Sequence, residues 1–294
     1  PPSASALPSP ACSSASSGTP SDSPLPCAPK EPVPSASSTS RRQSYPRLSL
    51  PPHALDHPRN PLHDQQPERG AKQMKVRTIK RMNHILSRFQ EQRANSADTA
   101  AFLRKSLRLL HFNRINGDYV EFGCQRFITF QMAWKAVRSQ PINRKLWAYS
   151  SFDSIPEPQT ERDLHPRWLP NTPLMSEATF RNRCWRSGIG AQQMEAVKFI
   201  TTSSTNPPPL PHQLACLFIT FHSFTEVRAV LRCVSTHLTN GVILAFEHYH
   251  CGTRFDNSGA RNAFLEFKTL RCDLEFEPYR SFGLAGLSFI VGDA

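Results

Sequence analysis

The chain has 294 residues, enough for one or two domains, with 27 prolines against 12 glycines and a formal net charge of +12. That charge raises a nucleic-acid reading, whereas no apolar run, the longest lying around Leu214 to Phe221, approaches the roughly 18 residues of a membrane-spanning helix. The eight cysteines include no CxxC pair, which excludes the usual zinc-ribbon spacing. In a chain this long they do not suggest a disulfide framework, so a reducing, cytoplasmic setting is expected.

The averages hide three different materials. Sixteen of the 27 prolines fall in residues 1–70, among Ser and Ala, and that stretch carries a net charge of only +1. Such composition cannot bury enough apolar surface to fold, so residues 1–70 are expected to be a disordered tail. Within it Arg41-Arg42-Gln43-Ser44 has the form of a basophilic kinase site. The Ser-rich, acid-poor beginning leaves import into an organelle open, although no Arg-rich amphipathic helix accompanies it.

Residues 71–115 hold a net charge of +9. Met74, Ile79, Met82, Ile85, Leu86 and Phe89 recur at helical intervals, and Ser96 is a candidate N-cap for a second helix bearing Phe102, Leu103, Leu107 and Leu110. Two basic N-terminal helices are therefore expected. They could bind nucleic acid. Phe89 and Phe102 belong to the apolar periodic positions and offer no stacking platform among the basic ones, which favours docking helices with solvated outer faces instead.

Residues 116–294 are near neutral, at +2. Here short runs of β-branched and aromatic residues alternate with helical stretches. The expected strands are Tyr119–Phe122, Leu146–Tyr149, Val197–Thr201, Leu217–Ile219 and Val242–Phe246, with Leu287–Val291 as an antiparallel edge strand. Helices are expected through Phe130 to Val137, from about Ser176 to Ser187, and from about Thr225 to Leu238. This alternation predicts an α/β, Rossmann-like, doubly wound and mostly parallel sheet covered on both faces. Pro207-Pro208-Pro209-Leu210-Pro211 falls between two strands, where a stiff connecting loop is the plain reading and an SH3-type docking segment the sharper one.

Ligands of open α/β sheets bind outside the carboxyl ends of the strands. The first strand ends in Glu121-Phe122-Gly123-Cys124, where a glycine lets the backbone pass close to a ligand. Gly117 to Cys124 resembles the opening strand of the macrocin O-methyltransferase family, and Ala148 to Pro158 resembles its second-strand segment. His165-Pro166-Arg167-Trp168, Asn240 to Tyr249, Gly259-Ala260 with Ala263-Phe264, and Gly283 to Val291 follow in the family's order. The resemblance covers roughly residues 72–292. It implies a class I methyltransferase fold, S-adenosylmethionine as cofactor, and methyl transfer to a hydroxyl of a sugar or other small metabolite.

Residue by residue, the resemblance places Glu121, Gly123, Ser150 and Asp153 at cofactor-binding positions. Phe127 stands where the family has a second glycine, a ring expected to crowd the cofactor, and Ser150 where it has the ribose-binding carboxylate. After the fourth strand, Thr220 and His222 replace two aspartates, and Glu247-His248 replaces the fifth-strand Asp-Asp pair. Three readings follow. His222, Glu247 and His248 could form a two-His, one-carboxylate site for a divalent metal. His222 or His248 could act alone as the base toward an acceptor hydroxyl. Or the site has decayed, leaving a relative without catalytic activity that serves as an interaction module. His250-Cys251 lies close by without diagnostic spacing.

Overall fold

Side chains of the central strands point alternately to opposite faces of the sheet, and that alternation builds two cores. In the computed structural model, which describes residues 67–124, 126–165, 168–200, 208–252 and 258–294, β1 (Asp118–Phe122) sends Tyr119 to one face and Val120 and Phe122 to the other. β4 (Leu214–Ile219) does the same with Cys216 and Phe218 against Leu217 and Ile219, and β5 (Ile243–Phe246) with Ile243 and Ala245 against Leu244 and Phe246. Strands buried on both faces read as near-continuous apolar runs, which is why these were visible in the sequence.

The remaining strands are β2 (Leu146–Ser150), β3 (Met194–Lys198), β6 (Leu274–Phe282) and β7 (Gly286–Asp293). Among the described residues the seven strands form one sheet in the order β3-β2-β1-β4-β5-β7-β6. The pairs from β3 to β5 are parallel, whereas β7 runs antiparallel to both β5 and β6. α1 (Pro67–Phe112), α2 (Ile128–Arg138) and α3 (Glu177–Arg186) cover one face, and α4 (Phe224–Val234) and α5 (Gly259–Leu270) the other. This is the expected Rossmann-like, doubly wound and mostly parallel sheet.

Four local expectations need correction or placement. The two basic helices are one: α1 runs through Ser96 without a break, because no Pro or Gly interrupts residues 71–112, and Thr99 Oγ1 donates to the Asn95 carbonyl at 3.0 Å within the helix. The third strand starts three residues earlier than expected, with Met194 beside Leu146. Leu287–Val291 is antiparallel but not an edge. It is flanked by β6, whose alternation of charged and apolar residues and whose Pro278, at a register shift, suit it to the outer position. Residues 1–66, which hold most of the expected 1–70 tail with its kinase site and leader, lie outside the described residues, as does Pro207, while α1 begins at Pro67 within that span. The rest of the proline run is committed to the fold: Pro211 is buried, and the Pro209 carbonyl accepts from Tyr149 Oη at 2.5 Å.

α1 joins the sheet through Phe102, Leu103, Leu107 and Leu110, all buried, with the Phe102 ring stacked on Phe282 at 4.1 Å. Its exit into β1 is pinned by Arg144, just before β2. That side chain is 1% exposed and donates to the carbonyls of Ile115 at 2.6 Å and Gly117 at 2.5 Å. At Gly117 the φ of +116° and the backbone of Gln213 and Leu214 at 2.9 Å from any added Cβ leave room for glycine alone.

The start of α4 is capped twice. Ser223 Oγ accepts from the Glu226 amide at 3.2 Å and donates to Glu226 Oε2 at 2.7 Å. From a distant short 3-10 turn, Asp163 accepts from the Thr225 amide at 2.7 Å and from its hydroxyl at 2.8 Å. Burial pushes the Glu226 carboxyl up to about 7, with the Ser223 hydrogen bond opposing and nearby Asp163 adding to the rise.

Two stability predictions follow from these contacts. Arg144→Met leaves two buried carbonyls without their donor and is expected to cost about 2–4 kcal/mol, read as a lower melting temperature and urea midpoint. Glu226 favours its protonated form in the fold, so its contribution is lost as pH rises from the ordinary carboxyl range through about 7. Glu226→Gln cannot ionise. It should melt close to wild type near pH 5 and above wild type near pH 8.5, by up to roughly 3 kcal/mol from the size of the shift.

Candidate functional site

The chain leaves β1 toward β2 and β3 on one side and returns to β4 and β5 on the other, so the order of the sheet reverses between β1 and β4. A crevice opens outside the carboxyl ends at such a reversal. Here the two ends are tied by Thr220, whose hydroxyl donates to the Phe122 carbonyl at 3.1 Å and to the Gly123 carbonyl. Two facing carbonyls call for a donor, which a hydroxyl supplies and an ionised carboxylate does not. Gly123 turns with φ +95°, and an added Cβ would meet the Thr220 hydroxyl and the Phe221 amide nitrogen, the latter at 3.0 Å.

Glu121 is fully buried on the α2 side of β1. Its carboxyl accepts from Tyr119 Oη at 2.7 Å and from Thr129 Oγ1 at 2.5 Å. Burial pushes it up to about 7, against the lowering effect of those two hydrogen bonds. It therefore links the strand to the first turn of α2. Ser150 closes β2 with 1% exposure, and its hydroxyl accepts from the Phe152 amide at 3.4 Å, while Asp153 is exposed. Phe127 does not crowd the crevice as expected. It takes a left-handed conformation at φ 60° and buries its ring edge-on to Phe180 at 5.7 Å, on the α2–α3 side. A left-handed non-glycine residue costs about 1–2 kcal/mol, which burial of a phenyl ring offsets.

A cavity of about 150 Å³ lies over the ends of β1, β4 and β5. Gly123, Thr129, Thr220, Glu247 and His248 line it, with Arg126 at the start of α2. α1 supplies the opposite wall through Gln92, Asn95, Ser96 and Thr99, one polar face at three- and four-residue spacing. Glu247 Oε2 stands 3.9 Å from His248 Nε2. Burial raises the Glu247 carboxyl and the Arg126 guanidinium opposes that rise.

His222 does not line this cavity. It lies behind Trp168, whose indole stacks on it at 3.9 Å and meets His248 edge-on at 5.0 Å. Burial, reinforced by the His248 and His165 rings, lowers His222 to about 3, with Asp163 opposing. It is neutral near pH 7 and a poor proton acceptor. The rings of His222 and His248 are 6.4 Å apart, and among the described residues no three of His, Cys, Asp and Glu stand together as a metal-binding group. The expected ligand set of His222, Glu247 and His248 is thus not assembled: His222 stacks against Trp168 and lies off the cavity that Glu247 and His248 line.

Sequence reasoning found Gly123, Glu247 and His248 at this cavity and missed what encloses it. Trp168 was visible only as part of a matching segment. The α1 wall was hidden by the helix's charge, although the spacing of Gln92, Asn95, Ser96 and Thr99 already marked one face.

In fold, the chain is similar to the O-methyltransferase NovP, at 18% identity and a TM-score of 0.52, over 65% of this chain and 78% of that one. It is similar likewise to the calicheamicin methyltransferase CalS11, at 15% identity and a TM-score of 0.51, over 78% of this chain and 94% of that one. No family model and no curated protein matches the sequence. Among the described residues no helix is long and apolar enough to cross a membrane. At these identities the likeness is one of fold: the chain is built on the class I methyltransferase architecture.

Proposed function

We propose that the protein is an S-adenosylmethionine-dependent O-methyltransferase of macrocin type, acting on a hydroxyl of a sugar or other small hydroxylated metabolite. The observation that carries this reading is the polar cavity at the switch point of the sheet, with His248 on its wall. The fold is that of proteins named as an O-methyltransferase and a calicheamicin methyltransferase.

The residues present fit the cofactor unequally. At its amino-acid end, Gly123 brings bare backbone to the cavity, and the first turn of α2, uncapped by any side chain, offers its amides beside Arg126. At its ribose end Ser150 is buried and engaged with its own loop, so exposed Asp153 is the acid we assign to the ribose hydroxyls. Bound S-adenosylmethionine supplies a methyl group already activated by its sulfonium.

The chain's own task is orientation and one proton. Asn95 lines the space for a hydroxylated acceptor, and the oxygens of Thr99 and Thr220, whose protons go to backbone carbonyls, can accept from its hydroxyls. His248 accepts the proton of the acceptor hydroxyl, and Glu247 at 3.9 Å stabilises the imidazolium that results. His222 is assigned a structural part, holding Trp168 against the cavity wall.

Thermal melting with and without S-adenosylmethionine tests the reading. Ligand at a hundred times its Kd adds about 2.7 kcal/mol to stability, and Asp153→Asn should shrink that shift while Ser150→Ala leaves most of it. No shift at millimolar cofactor would overturn the proposal and leave the fold as an interaction module. Where the shift is present, His248→Gln should retain it and lower methyl transfer by about 10²-fold or more.

A further inference from the structure

His248 has a second neighbour on the cavity wall. Cys251 Sγ lies 3.6 Å from His248 Nδ1, while Glu247 stands at the opposite nitrogen of the ring. All three come from the tight turn after β5, in which the Cys251 amide donates to the His248 carbonyl at 3.1 Å. The backbone itself therefore sets their spacing. All three line the cavity, facing Arg126 and the first turn of α2. Thiol, imidazole and carboxylate in series form a nucleophile, its base and the group that orients the base.

The other cysteines make the contrast. Cys184 and Cys216 are buried thiols that burial pushes up to about 12, and burial raises Cys124 as well. Inert buried thiols are the ordinary case, and a thiol beside a histidine on a cavity wall is the reactive one.

We propose that Cys251 is a nucleophilic thiol that forms a covalent thioether with small anionic carbon electrophiles entering the cavity. The Cys251 S–H proton passes to His248 Nδ1, and Glu247 faces the imidazolium so formed. The sulfur then bonds to the electrophilic carbon, and the leaving group departs with the electrons of its own bond. Negative charge on the electrophile is favoured by the Arg126 guanidinium and by the positive end of the α2 dipole. Small size follows from a volume of about 150 Å³. This site goes beyond the methyl-transfer reading and needs no cofactor.

Alkylation of the whole protein by iodoacetate and, separately, by iodoacetamide at neutral pH tests it, with each cysteine-bearing peptide followed by mass spectrometry. Cys251 should be carboxymethylated about ten-fold faster than exposed Cys272, and faster by iodoacetate than by iodoacetamide. Arg126→Ala should remove the preference between the two reagents. His248→Gln should bring the Cys251 rate down to that of Cys272.

A Cys251 rate no higher than that of Cys272 overturns the proposal. So does an unchanged rate in a His248→Gln variant that melts like wild type. Should that variant fail to fold, the reagent preference of the wild-type protein decides alone, and equal rates for the two reagents overturn it. Because labelling is read without S-adenosylmethionine, its failure and the failure of cofactor binding are separate results.

Discussion

The junction of β1 and β4 is the constraint on which the rest of the molecule depends. There the chain reverses the order of its sheet, and a single hydroxyl, that of Thr220, spans the carbonyls of Phe122 and Gly123. Gly123 must turn with a positive φ to make this approach, and its lack of a side chain leaves backbone exposed to the cavity. The β1–β4 ladder sets the separation of the two strand ends, where the Thr220 amide also donates to the Phe122 carbonyl at 2.8 Å. That separation in turn fixes where the start of α2 points and how far the turn after β5 stands from it. A carboxylate in place of Thr220 would face two carbonyl oxygens, so the position suits a hydroxyl.

Around this junction the chain uses few fixed charges. Glu121 and Glu226 are both buried, and burial lifts each to about 7. Each then serves as a hydrogen-bonding partner, Glu121 to Tyr119 and Thr129 and Glu226 to Ser223. His222 is held neutral by the same desolvation. What charge the cavity has comes from Arg126 and Glu247, which face each other across it. The net charge of +12 says little about this chemistry, since most of it belongs to residues 71–115.

Aromatic packing explains the other departures. Phe127, in a place where glycine is expected, takes the left-handed conformation itself and buries its ring against Phe180, so the backbone turn is kept without the glycine. Trp168 packs on both His222 and His248 and forms a wall shared by the cavity and a smaller groove behind it.

The sequence by itself determined the layered α/β architecture and most of its strands, because residues buried on both faces of a sheet form apolar runs such as Leu214–Ile219 and Ile243–Phe246. It also marked Gly123, at the end of the first strand where ligands gather, while Glu247 and His248 were marked only through the family resemblance. It missed β6, whose pattern is half polar, and split α1, although the absence of Pro and Gly from residues 71–112 already allowed one continuous helix. Only the tertiary structure decided that Phe127 turns inward, that Trp168 parts the two histidines, that α1 walls the cavity and that Cys251 meets His248. Each of these depends on the direction a side chain takes across a gap between segments far apart in sequence or across a tight turn, and no periodicity along the chain encodes it.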